Sequence, residues 1–71
     1  MNFDEEYKKL GLRIKYLREK AGLTQEQLAE KCGISLDFLG KIEVNINKPG
    51  LKTVFKVAKA LNLPAKELFE F

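Results

Sequence analysis

The chain has 71 residues, with 13 Lys or Arg, 10 Asp or Glu, one cysteine and no histidine, for a net charge of +3. A lone cysteine without histidine excludes an internal disulfide and a structural zinc site, and the length is that of one domain, residues 1–71, burying only about 60% of its unfolded surface. No run approaches the roughly 20 apolar residues that cross a bilayer, and the acidic, polar start does not read as a signal peptide, so a soluble, cytoplasmic helical module is expected.

Phe3, Tyr7, Leu10, Ile14, Leu17 and Ala21 recur at alternating spacings of four and three, the apolar stripe of a first helix. Asn2 is placed to cap it, with Glu5 three residues on in the capping-box position. Asp4, Glu5 and Glu6 suit the positive end of the helix dipole. Gly22 stands where a helix ends in a left-handed residue. Gly11 inside the stripe costs about 1 kcal/mol against alanine, which predicts fraying or bending of the first two turns.

A second helix starts at Thr24, where T-Q-E-Q offers a capping box with Gln27. Leu28, Ala29 and Cys32 follow, and Gly33 ends it. That is barely two turns, too short to stand alone. Ser35 caps a third helix, SLDFLGKIE, which turns Phe38, Leu39 and Ile42 inward and leaves Leu36, Asp37, Gly40, Lys41 and Val44 outside. N-I-N-K-P-G then reads as a loop. LKTVFKVAKALN is a fourth helix with Leu51, Val54, Ala58 and Leu61 on one face and Asn62 as its cap. AKELFEF makes a last short helix after Pro64, with Phe69 closing it onto the first and fourth. The reading is all-α, five helices and no strand.

The charge is uneven. Residues 24–43 carry two bases and four acids, whereas residues 44–63 carry four lysines (Lys48, Lys52, Lys56 and Lys59) and no acid. Lys48, beside the asparagines, is well placed for a phosphate. Lys56 and Lys59 fit a solvated helix face equally well, and Lys8, Lys9 and Lys15 read as solubilising.

Two short helices joined by a glycine turn make a helix-turn-helix over about residues 24–44. Counting from Gln25, Ala29 is fifth, where a small side chain lets the helices approach. Gly33 is ninth, where the turn needs a positive φ. Leu28, Cys32, Ile34, Leu39 and Ile42 fill the buried positions, and in such a slot Cys32 reads as a small core residue.

LTQEQLAEKCGIS followed by LGKIE resembles the phage-repressor-like (Xre-type) DNA-binding domains, and the likeness runs from RIKYLREKAGLTQ to ALNLPAKELF. The resemblance implies a compact five-helix domain that binds operator DNA as a dimer, with the third helix in the major groove. It assigns base reading to Ser35, Leu36, Asp37 and Lys41. It assigns phosphate contacts to Thr24 and Gln25 at the start of the second helix and to Asn45, Asn47 and Lys48 in the loop, with Arg13 as an added backbone contact. Arg18 and Glu43 match a structural salt bridge of the family. Phe55, Phe69 and Phe71, too many aromatics for so small a core, are the dimer candidates.

The expected function is therefore sequence-specific binding of double-stranded, near-palindromic DNA by a small bacterial or phage transcriptional regulator. No cofactor, metal or small-molecule ligand is implied, and no effector domain, so control through protein concentration and dimerisation is expected. The alternative is a protein-interaction module that keeps the fold without reading DNA. Family members commonly carry a base or amide at Leu36, serine at Asp37 and Gly40, and Arg-Gly at Val44-Asn45, so this chain is less basic there. An enzyme is disfavoured, without histidine, an evident carboxylate pair or a glycine-rich phosphate loop.

Overall fold

The computed structural model describes residues 2–71. Four α-helices follow in order: α1 (Asp4–Lys20), α2 (Gln25–Cys32), α3 (Leu36–Glu43) and α4 (Leu51–Ala60). The expected fifth helix is a 3-10 turn, Ala65–Phe69. Pro64 caps it and it runs only five residues, the short stretch in which i→i+3 bonding is common; the Glu67 N–H donates to the Pro64 carbonyl at 3.0 Å. There is no strand among the described residues.

All four α-helices end the same way. Gly22, Gly33, Asn45 and Asn62 adopt left-handed backbone, with φ of 75°, 70°, 62° and 57°. At each, two N–H groups turn back onto the last helical carbonyls. After α2, Gly33 donates to Glu30 and Ile34 to Ala29; after α3, Asn45 donates to Ile42 and Ile46 to Lys41. This is the Schellman closure, in which the residue after the left-handed one packs back on the helix. Leu23, Ile34 and Leu63 do so against the core, whereas Ile46 stays exposed.

The helix starts differ. Thr24 and Gln27 form the full capping box on α2, and the Ser35 hydroxyl accepts the Phe38 N–H at 3.0 Å on α3. At α1 the expected box with Glu5 is absent. Phe3 occupies the cap position, and Asn2 accepts the Asp4 N–H at 3.2 Å from one residue further out.

The core is Leu10, Ile14 and Leu17 of α1, Leu28, Ala29 and Cys32 of α2, Leu39 and Ile42 of α3, Val54, Val57 and Ala58 of α4, and Leu68. Three sequence expectations are corrected here. Phe3 and Ala21 at the ends of the α1 stripe are exposed. Val57 is fully buried and Leu51 is 65% exposed, so the inward face of α4 begins at Val54. In the last turn Leu68, not Phe69, closes the core. With three residues per turn, Ala65 and Leu68 fall on one side and Phe69 is rotated outward.

Gly11 also corrects its expectation. α1 is continuous through it, and Gly11 is buried. A Cβ there would run into the carbonyl oxygen of Ile42. The missing side chain is what lets the end of α3 lie against α1.

Candidate nucleic-acid interface

The inner side of α3 is fixed by a buried ion pair. Arg18 Nε donates to Glu43 Oε2 at 2.8 Å and Nη2 to Oε1 at 3.0 Å, the two-pronged geometry that gives the strongest carboxylate contact. The remaining nitrogen, Nη1, donates to the Leu23 carbonyl at 2.8 Å. Hydrogen bonding to Glu43 raises the Arg18 pKa above its already high ordinary value, so the guanidinium stays charged. Glu43 Oε1 accepts a further bond from Gln25 Nε2 at 3.0 Å. One carboxylate at the end of α3 thus ties together α1 and the first residue of α2.

That bond fixes the Gln25 side chain at the first position of α2. Its side chain is spent on Glu43 and lies over Gly40. What α2 offers outward is its start. The Thr24 N–H donates to Gln27 Oε1 at 2.8 Å, while the N–H groups of Gln25 and Glu26 are those a helix start leaves open. Gly40, expected on the outer face, sits half-buried against Gln25.

The outer face of α3 carries Leu36, Asp37 and Lys41, with Ser35 at its start. Asp37 and Lys41 pair with each other, Nζ to Oδ2 at 3.0 Å, one helical turn apart. Both are exposed enough for water to compete, and such pairs contribute about 0–1 kcal/mol. The face therefore presents an acceptor and a donor side by side. Leu36, Val44 and Ile46 are exposed beside them, making this face apolar as well.

In the loop after α3, the Ile46 and Asn47 N–H groups both reach the Lys41 carbonyl, at 2.8 and 3.1 Å. Asn45 Nδ2 donates to Asp4 Oδ1 at 3.1 Å, and Lys48 Nζ lies 3.3 Å from the same oxygen. Lys48 also sits 5.8 Å from the centre of the Tyr7 ring. Hydrogen bonding from Asn45, then from Lys48, and the Lys48 charge hold the Asp4 carboxyl below its ordinary value. Asp4 had no signal in the sequence beyond its helix-start position; its partners lie more than forty residues away.

Arg13 is placed away from this region. Its Nε donates to the Glu67 carbonyl at 2.7 Å and its guanidinium lies 5.4 Å from the centre of the Tyr16 ring. In the free protein this arginine fastens the last turn to α1, with Nη2 also 3.4 Å from Glu67 Oε1. The basic segment also divides. Lys48 belongs to the loop, whereas Lys56 and Lys59 line a shallow depression with Lys31, Cys32 and Asn62 between α2 and α4. Burial pushes the Cys32 thiol up, which makes it a poor nucleophile.

Among the dimer candidates, Phe55, Phe69 and Phe71 are each about half exposed. Phe69 and Phe71 have ring centres 6.5 Å apart. Phe69 lines one groove with Phe3, Tyr7 and Leu51. Phe71 lines another with Leu12 and Tyr16.

Two clamped short helices, with the second presenting an uncluttered outer face, are the geometry of a DNA-reading helix-turn-helix. The helix-turn-helix family (HTH_3) matches residues 14–68, most of the chain. The chain belongs to the helix-turn-helix family. Its relatives bear out the phage-repressor-like resemblance. The immunity repressor protein of Bacillus phage phi105 is 44% identical over 54 residues, covering 76% of this chain and 38% of the repressor. The HTH-type transcriptional regulator SutR of Escherichia coli is 40% identical over 55 residues, covering 78% of this chain. This chain spans only 31% of SutR. Among solved structures, the restriction-modification controller protein C.AhdI from Aeromonas hydrophila superposes with a TM-score of 0.89 at 34% identity, over 92% of this chain and 98% of that one. No helix among the described residues of this helix-turn-helix chain is long and apolar enough to cross a membrane.

Proposed function

We propose that the chain is a sequence-specific double-stranded DNA-binding regulator that reads bases with the outer face of α3. Family membership and relatives named as regulators and repressors support the function. The observation that carries the base-reading part is the presentation of α3: Arg18, Glu43 and Gln25 clamp its inner side while Leu36, Asp37 and Lys41 face outward. In this docking, Thr24, the open start of α2, Asn45, Asn47 and Lys48 meet phosphates, which supply affinity without sequence information. The regulator acts as a homodimer on a near-palindrome.

The Asp37–Lys41 pair gives the reading a definite target. A guanine presents O6 and N7 as acceptors in the major groove, and its cytosine partner presents an amino donor. A carboxylate and an ammonium 3.0 Å apart match that pattern as a unit, so both residues read one G·C pair. Leu36 lies against a thymine methyl nearby. Selection of bound duplexes from a random pool tests this. The wild type enriches a motif containing the G·C pair, and Asp37→Ala and Lys41→Ala each relax the same position, at about 1–3 kcal/mol of lost discrimination. Relaxation at two separate positions would refute the paired reading.

The exposed Leu36, Val44 and Ile46 favour a second reading, a protein-interaction module. It requires that no motif is enriched and that low-salt binding does not exceed that to random duplex.

A further inference from the structure

In the loop after α3, two nitrogen donors from different residues converge on one oxygen. Asn45 Nδ2 and Lys48 Nζ lie 3.1 and 3.3 Å from Asp4 Oδ1. Asn45 is held by its left-handed backbone and its bond to Ile42. Lys48 also reaches Asn45 Oδ1 at 3.4 Å and lies beside the Tyr7 ring. Both donors therefore point to one place, suited to a singly charged oxygen anion. The Asp4 side chain is 63% exposed and that of Lys48 43%, so the contact is wet and exchangeable rather than a buried clip. Glu5 and Glu6 are exposed in the same helical turn and make no ion pair among the described residues.

We propose that Asn45 and Lys48 form a site for a phosphodiester oxygen, and that the Asp4 carboxylate occupies it in the free protein, so that DNA docks the loop by displacing Asp4. This rests on the DNA-binding reading above. A carboxylate and a phosphodiester both offer an anionic oxygen to the same two donors. Displacement leaves the Asp4 charge beside the incoming phosphate, which further opposes binding. Asp4 is thus a built-in brake on backbone affinity, and occupation by it adds a salt signature. Each phosphate neutralised by a cation steepens the salt dependence by about 0.9 in log–log slope. Lys48 arrives already matched by Asp4, so its contact contributes less than that.

The test is a salt titration of binding to a mixed-sequence duplex by fluorescence anisotropy, using the full chain. Asp4→Asn binds about two- to fivefold tighter than wild type, the range an exposed ion pair spans, and its salt slope steepens by up to about 0.9. Glu5→Gln and Glu6→Gln change the net charge equally and have smaller effects. In a Lys48→Ala background, Asp4→Asn does no more than Glu5→Gln. An Asp4→Asn effect equal to that of Glu5→Gln overturns the proposal. Weaker binding by Asp4→Asn also overturns it, since Asp4 would then be positioning the loop for DNA. Wild-type binding without an Asp4 effect removes only this inference, whereas no binding of any duplex removes the DNA-binding reading with it.

Discussion

Gly11 and Gly40 both sit inside helices, where alanine is favoured by about 1 kcal/mol. Their surroundings are opposite. A Cβ on Gly11 meets the backbone carbonyl of Ile42, which cannot swing aside, so α1 and α3 must separate. Overpacking of this kind costs about 1–3 kcal/mol, enough to outweigh the propensity gain. A Cβ on Gly40 comes no closer than 3.5 Å to the Gln25 side chain, an ordinary contact. Gly11→Ala is therefore expected to lower the denaturant midpoint, and Gly40→Ala to raise stability by up to about 1 kcal/mol. Because the Gly11 contact sits on the last turn of α3, Gly11→Ala also weakens DNA binding more than its stability loss explains. Equal stability changes for the two variants would rule this account out. Propensity alone reads Gly11 as a weak point because the atom that requires glycine belongs to a residue far along the chain.

At the scale of the element, the four Schellman closures and the capped starts of α2 and α3 are local chemistry, and most of them are legible in the sequence. Thr24, Ser35, Gly22, Gly33 and Asn62 can each be read from their neighbours. Asn45 reads only as loop, because asparagine in left-handed backbone looks the same in sequence as asparagine in any turn. The choice of Leu68 over Phe69 depends on the last turn being 3-10, a period that five residues are too few to reveal. What local chemistry cannot supply is the orientation of α3, which rests on Glu43 gathering Arg18 and Gln25. The side chain of Glu43 is 1% exposed and that of Arg18 9%, so removing one partner strands a buried charge. Glu43→Ala is expected to cost about 3–5 kcal/mol. At roughly 0.05–0.15 kcal/mol per residue a domain this size holds about 4–11 kcal/mol, so a large share of its stability goes with it. Replacing both partners with apolar residues, Arg18→Met with Glu43→Leu, recovers much of the loss. It does not restore the Gln25 bond, so thermal unfolding recovers while DNA affinity stays low. Recovery of both would show that any packed contact suffices to aim α3.

For the whole molecule, the proposed homodimer needs a surface that pairs two copies. Besides the outer face of α3, the helices leave two apolar faces around their one core. Leu51 lines a groove with Phe3 and Phe69, and Phe55 is exposed one turn further along α4. Leu12 and Tyr16 on α1 lie around Phe71. The second face is crossed by cations: Lys9 and Arg13 line its groove, and Arg13 is already fastened to Glu67. The first face has no charged side chain in its groove lining, which suits the desolvated centre of a protein interface. We therefore propose the face of Leu51, Phe55 and Phe69 as the pairing surface of the homodimer. A buried aromatic at the centre of such an interface is worth about 2 kcal/mol or more, or roughly thirtyfold in dissociation constant. Phe55→Ser is exposed in the monomer and should leave its folding intact while weakening the dimer by that factor in sedimentation equilibrium. Its affinity for a duplex with two half-sites about 34–36 Å apart, one turn of DNA, falls toward that for a single half-site. Leu12→Ser leaves both measurements unchanged. The reverse pattern would move the dimer to the α1 face and carry Phe71 with it.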